Sequence, residues 1–209
     1  NPAGAIVPVY KIMQQAHMTM PHSIFIPAIA SYYSNSKKQL LAMPFNSSTP
    51  VMYINARAFR KAGLNPNKPP KTWPALAKAA KKLLQVGYHC GFTTGWPSWI
   101  QLEAFSAWHN LPFATEHNGF DGLNARLIYN NPIVIKHVHQ LKQWQKSGIF
   151  VYGGRQDNAQ SLFTSGQCPM LMESSGSAGS LVGHLSFPVK VGEIPYDPKV
   201  KNEKKNMLI

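Results

Sequence analysis

The sequence predicts an α/β fold, and three observations carry that prediction. Hydrophobic residues make up 44% of the 209-residue chain while charged residues make up 14%, a balance that supports a packed core and excludes a disordered chain. Two segments read as strongly capped amphipathic helices. Along the chain, short apolar runs alternate with helix-like patterns, so strand, loop, helix and strand recur in order, as a layered α/β architecture requires.

Taken in order, Val7 to Ala16 can form a short helix, and Pro21 ends that region. Lys37 to Phe45 and Val51 to Asn55 read as strands, separated by the turn-forming Asn46-Ser47-Ser48-Thr49-Pro50. Asn55 caps a helix over Ala56–Ala62 that stops at Gly63. The clearest helix has Thr72 as N-cap, Pro74 in its first turn, an apolar stripe of Leu76, Ala80, Leu83 and Leu84, and Gly87 as its stop. Tyr88–Thr93 reads as a strand, Trp99–Trp108 as a helix, and the stretch around residues 118–122 as irregular. Asn131-Pro132 opens the second strong helix, whose apolar face is read as Ile135, Val138, Leu141 and Trp144, with Gly148 as its stop. A shorter helix runs from Asp157 to Gly166. Cys168–Met172 is expected as a buried strand, Ser174–His184 as a Gly/Ser-rich helix and Phe187–Val191 as another strand.

The chain carries 21 Lys and Arg against 8 Asp and Glu, a formal charge of +13. Such a balance favours acidic partners. The lysines, however, come in pairs (Lys37-Lys38, Lys81-Lys82, Lys204-Lys205) rather than in a dense block, and no zinc-finger or aromatic RNA-binding motif accompanies them, so no nucleic-acid partner is expected. No apolar run reaches the 18–20 or so residues of a membrane span. Both ends read as cut from a longer chain.

Three stretches could hold a ligand. The Asn46–Pro50 loop offers hydroxyl and amide groups, which are also ordinary turn residues. Glu173-Ser174-Ser175-Gly176-Ser177 follows an apolar strand and opens a helix, where free backbone N–H groups favour a phosphate or carboxylate, or where Ser174 simply caps. Gly95-Trp96-Pro97-Ser98-Trp99 places two indoles three residues apart. They suit a polyol or a quaternary ammonium group, or else a core contact. Cys90 and Cys168, 78 residues apart, form neither a CxxC pair nor a zinc set. They read equally as two buried apolar residues or as one disulfide. The eight carboxylates show no pairing, and His137 and His139, two apart on a helix, point to different sides and are read as surface residues. No nucleophile elbow or nucleotide loop is present. No enzyme activity, cofactor or metal is expected.

Residues in order along nearly the whole chain carry a resemblance. Pro44-Phe45-Asn46-Ser47-Ser48-Thr49-Pro50-Val51, Phe59–Leu64, Pro69–Trp73, Trp99–Glu103, Phe105–Trp108, Leu111–Ala114, Asn118–Gly122, Ser174–Ser177 and Pro195-Tyr196-Asp197 resemble the glycerol-3-phosphate-binding periplasmic proteins of ABC importers. The resemblance implies a type II periplasmic-binding-protein fold, one lobe largely complete plus part of the second. The expected division is a partial first lobe over 1–45, a central α/β lobe over 46–190 and a return segment over 191–209. It implies a solute-binding role toward glycerol-3-phosphate or glycerophosphocholine, with importer membrane subunits as partners and a periplasmic location. Ser48 and Ser174 match ligand-bonding positions, Trp96 and Trp99 match cleft tryptophans, and Cys90 and Cys168 match cysteines that an oxidising compartment would pair. Other contacts of that family fall before and after this chain, so weak ligand affinity and self-association of the piece are expected. Two alternatives to solute binding are a phosphodiester hydrolase and a remnant without affinity. Two departures stand out: Glu173 occupies a position where relatives carry a small residue, and the chain is unusually basic.

Overall fold

The computed structural model describes residues 4–200. Its frame is a four-stranded sheet of order β2-β3-β1-β4, made of β1 (Pro50–Asn55), β2 (Thr93–Thr94), β3 (Met170–Ser174) and β4 (Val189–Glu193). β1 runs antiparallel to β3 and β4, and β2 runs parallel to β3. Side chains alternate across β1 and β3, as the two-residue period of a strand demands. Met52, Ile54, Met170 and Met172 enter the larger core with α4 (Trp73–Gln85) and α7 (Pro132–Lys146). Tyr53 and Leu171 enter a smaller one with Phe163, Leu181 and Phe187. α8 (Gln160–Thr164) and α9 (Ala178–Leu181) cover that second face.

Local chemistry sets the helix starts as read. The Asn55 side chain accepts from Ala58 N–H at the head of α3 (Ala56–Lys61), Thr72 Oγ1 from Ala75 N–H, and Asn131 Oδ1 from Ile133 and Val134 N–H. After β2 the chain winds as a wide π-helix over Trp99–Ala104 and tightens into α5 (Phe105–Trp108). α6 (Thr115–Gly119) is one irregular turn in which Glu116, His117 and Asn118 take positive φ. Cys90 and Cys168 are joined by a disulfide, their Cα atoms 4.7 Å apart, tying the loop before β2 to the start of β3.

Several elements depart from the sequence reading. Lys37–Phe45 is not a strand. Asn35 Oδ1 captures the N–H groups of both Lys37 and Gln39, and Lys38 takes φ +59°, so the chain turns where the pattern reads as extended. The Tyr88–Thr93 strand shrinks to Thr93–Thr94, because Gly91 and Phe92 donate instead to the carbonyls of Gly148 and Ile149. The last two strands start two residues later than read. The Gly/Ser-rich helix splits into a 3₁₀ turn, Ser175–Ser177, and the short α9. In α7 the buried face is Val134, His137 and Leu141, while Ile135 and Val138 are exposed. The surface assignment of His137 is therefore corrected. Its ring stacks on Phe105 at 3.9 Å and lies 4.7 Å from Trp73, and Gln101 bonds its Nε2 at 3.1 Å. Burial, aided by His109, pushes its pKa down to about 3, so it sits neutral inside the core.

Residues 4–49 pack differently. Helices α1 (Val9–Gln15) and α2 (Pro27–Tyr32) are tied to the 40–42 stretch by backbone bonds, including Val9 N–H to Leu41 O and Tyr10 N–H to Leu40 O. Among the described residues there, Ala30, Ser34 and Leu40 are the buried ones.

Candidate functional site: a cleft at the end of the sheet

Strand register brings three distant segments together. Pro50 of β1 pairs with Ser174 of β3, so the residues before one strand lie beside those after the other. Thr49 N–H donates to Ser175 Oγ at 3.1 Å and Ser175 N–H to Thr49 O at 2.8 Å, locking the two loops. On the other side of β3, Gly95 N–H donates to Met172 O at 2.9 Å, which carries Trp96 to the same end of the sheet.

These segments line a cleft of about 490 Å³ with Tyr32, Tyr33, Asn46, Ser47, Ser48, Trp96, Trp99, Asp157, Gln160, Ser174, Gly176 and Ser177 on its wall. All four residues singled out from the sequence as ligand contacts are there. Ser48 and Ser174 converge tightly: a Cβ placed on Gly176 would lie 3.2 Å from the hydroxyl oxygen of each. The absence of a side chain at Gly176 thus keeps the space over both hydroxyls open. Trp96 is 39% exposed and Trp99 half-buried. Trp96 takes φ +42°, a region L-residues rarely occupy, and its N–H is held by Gln156 O at 2.7 Å. Beneath Trp99, Gln101 bonds Thr94 Oγ1 at 3.0 Å as well as His137, fixing the π-helix to the end of β2.

A buried carboxyl group adjoins Ser174 in the chain without itself lining the cleft. Glu173 is fully buried. Its Oε1 accepts from Ser174 N–H at 2.8 Å, while Oε2 lies against Gly95, where a Cβ would collide with it. Burial raises its pKa above the ordinary carboxylate value. The Ser174 N–H and the Gln160 amide oppose that shift, and the charge of Asp157 adds to it. Tyr53 donates its hydroxyl proton to Ser174 O at 2.8 Å, and its pKa is pushed up to about 12 by burial and by Glu173.

The expectation of free N–H groups after β3 is corrected by the same geometry. Ser174 N–H goes to Glu173, Ser175 N–H to Thr49, and Gly176 N–H to Ser174 Oγ at 3.1 Å. Three donors that would otherwise meet an anion are spent within the protein. Tyr32, Tyr33, Asp157 and Gln160 were missed by sequence reasoning. They come from two elements remote in the chain and carry no motif, so only the tertiary arrangement reveals them. Among the described residues no three His, Cys, Asp or Glu side chains group to hold a metal.

Comparison with known proteins gives a consistent picture. The family model described as bacterial extracellular solute-binding protein matches residues 2–204. The sn-glycerol-3-phosphate-binding periplasmic protein UgpB of Yersinia pseudotuberculosis is 47% identical over 206 residues, covering 98% of this chain and 47% of the relative. UgpB of Escherichia coli strain K12 has the same identity and coverage. The chain therefore spans about half the length of these relatives. Among solved structures, UgpB from Mycobacterium tuberculosis in complex with glycerophosphocholine superposes with a TM-score of 0.74 at 18% identity, covering 95% of this chain and 50% of that one. Maltose-bound MalE3 of T. maritima superposes with a TM-score of 0.70 at 15% identity, covering 98% and 51%. These likenesses establish the type II binding-protein fold.

Proposed function

This chain belongs to the bacterial extracellular solute-binding protein family, and from that premise we propose that it is the solute-binding part of a periplasmic ABC-import system for glycerol-3-phosphate or a glycerophosphodiester. The reading rests on one observation: the hydroxyls of Ser48 and Ser174 converge at Gly176 in the cleft that Trp96 and Trp99 also line. Two hydroxyls can each donate to and accept from a glycerol or phosphate oxygen, and indole faces suit the C–H surface of the glycerol backbone. The names of the relatives, sn-glycerol-3-phosphate-binding proteins, agree with that chemistry.

The ligand is held and released unchanged. Among the described residues the cleft wall offers hydroxyls, amides, indoles and one carboxylate, Asp157, groups that hold a polyol by hydrogen bonds and contact. Two-lobed binding proteins gain affinity by closing both lobes on the solute. This chain is about half the length of its relatives. Loss of one charged phosphate contact alone weakens binding by roughly ten- to a hundredfold or more. Affinity of the 209-residue chain is therefore expected to be well weaker than micromolar. Titration calorimetry with glycerol-3-phosphate and glycerophosphocholine, backed by ligand-detected NMR at millimolar concentration, tests the reading. Saturable binding of at least one, lost on Ser48→Ala with Ser174→Ala, is the expected result. Binding of maltose with neither phosphate ester bound would overturn it.

A further inference from the structure

Ser174 reaches the cleft from a backbone that two buried side chains hold. Tyr53 donates its hydroxyl proton to Ser174 O at 2.8 Å, and Glu173 Oε1 accepts from Ser174 N–H at 2.8 Å. The second oxygen of that carboxyl abuts the loop after β2: a Cβ on Gly95 would collide with Oε2 and would stand 3.1 Å from Gln156 O. The next residue, Trp96, donates its own N–H to Gln156 O at 2.7 Å. One carboxyl thus lies between the segment that carries Ser174 and the segment that carries Trp96, both of which line the cleft. Glu173 has no exposed surface, so this chain itself supplies its surroundings.

These surroundings favour the neutral acid. Oε2 has no hydrogen bond at normal distance among the described residues, and an unpaired charge is costly away from water. Asp157, in the turn that Gln160 N–H closes by donating to Asp157 O at 2.8 Å, adds a negative field. Tyr53 on β1 keeps its proton well beyond neutrality, its pKa pushed up to about 12 by burial and by Glu173. Glu193 on β4 is exposed and lies one strand further off, with Val51 paired between it and Glu173. Ionisation of Glu173 therefore puts charge on an oxygen wedged against Gly95, and sets that charge directly behind Ser174.

Resting on the glycerophosphate reading, we propose that Glu173 is a positioning residue of the cleft: as the neutral acid it braces Ser174 against the Gly95–Trp96 segment, and its ionisation loosens that brace, so that ligand binding is linked to proton uptake. The carboxyl touches no ligand and acts through Ser174 and Trp96. Binding favours the protonated form, so affinity is highest in acid and falls as pH rises through the raised pKa of Glu173.

The test is a titration of the 209-residue chain with glycerophosphocholine, followed by ligand-detected NMR between pH 5 and 8. The phosphodiester and quaternary ammonium of that probe keep their charges across the range. Wild-type affinity is expected to fall about tenfold from pH 5 to pH 8, the equivalent of about one pKa unit between free and bound protein. Glu173→Gln keeps an acceptor for Ser174 N–H without the charge, so it binds at pH 8 as the wild type does at pH 5, with no slope. Glu173→Ala removes the brace and binds several-fold more weakly at both ends of the range, circular dichroism showing that the folded chain is compared. Should Glu173→Ala not fold, the Glu173→Gln profile decides alone. A wild-type affinity that does not change with pH, a slope that survives in Glu173→Gln, or folded Glu173→Ala binding as tightly as the wild type overturns the positioning role and leaves the glycerophosphate reading standing. Failure of both glycerophosphocholine and glycerol-3-phosphate to bind at pH 5 overturns that reading and the positioning role with it.

Discussion

Two regions of this molecule use similar apolar residues to opposite effect. From β1 onward, Met52, Ile54, Leu76, Leu83, Phe92 and Met170 have essentially no exposed surface. In residues 4–49, Ile6, Val7, Ile12, Met18, Ile24, Ile26 and Phe45 are all more than half exposed, Phe45 at 94%. The difference lies in what is available to pack against. The sheet buries side chains on both faces because helices cover both. α1 and α2, of seven and six residues, are too short to be stable alone, and between them they bury only one described residue, Ala30 of α2. Apolar content therefore does not decide burial. A second layer does.

The sharpest way to break this comparison is through the disulfide. Cys90–Cys168 closes a loop of 78 residues inside the well-packed region. In the chain-entropy account, Cys90→Ala with Cys168→Ala costs about 4 kcal/mol. Urea unfolding followed by tryptophan fluorescence measures it. A loss under about 1 kcal/mol would mean that packing alone holds the region.

A smaller effect, with a defined pH dependence, comes from Glu173. Its pKa is raised in the folded state, so the native protein binds more protons than the unfolded chain above the ordinary carboxylate value. Stability contributed at this site therefore falls as pH rises from that value through the raised one. Glu173→Gln keeps the acceptor for Ser174 N–H and removes the buried charge. It is expected to stabilise by about 1 kcal/mol at neutral pH and to flatten the pH dependence, whereas in acid the two proteins converge. Thermal melts between pH 4 and 8 give the comparison, and a destabilised variant at pH 8 would show that the carboxylate is compensated.

The smallest effect on stability is expected in residues 4–49. Phe45→Ser with Ile12→Ser removes exposed apolar surface, so unfolding shifts by less than about 0.5 kcal/mol. Self-association of the chain, read by sedimentation velocity, weakens instead. Unchanged association would place the contact elsewhere, for instance along the edge strand β4.

Much of this was legible from residue order. Thr72, Asn131 and Asn55 announce their helices because a cap is a contact between neighbours in sequence. The segments that supply Ser48, Trp96, Trp99 and Ser174 were legible for the same reason: they interrupt apolar runs with Gly, Ser, Asn and Trp. The reading failed where a distant partner outweighed the local pattern. His137 looks like a surface histidine until Trp73 and Phe105 sandwich it and Gln101 bonds it. The same contacts turn α7 so that Val134, not Ile135, faces the core. Lys37–Phe45 holds an apolar run long enough for a strand, but Asn35 takes the N–H groups of Lys37 and Gln39, and an isolated bridge from Ser34 to Leu40 forms in place of a ladder.

The sequence by itself determined the α/β class, the starts of the three side-chain-capped helices and the family, because each depends on short-range chemistry or on residue order. Tertiary structure alone decided that Ser48 and Ser174, 126 residues apart, share one glycine's open space, and that Asp157 joins them as the cleft's charged wall. The physical reason is register. Antiparallel pairing of Pro50 with Ser174 sets those loops side by side, and one residue of slip would turn the serines to other faces while leaving every local signal unchanged.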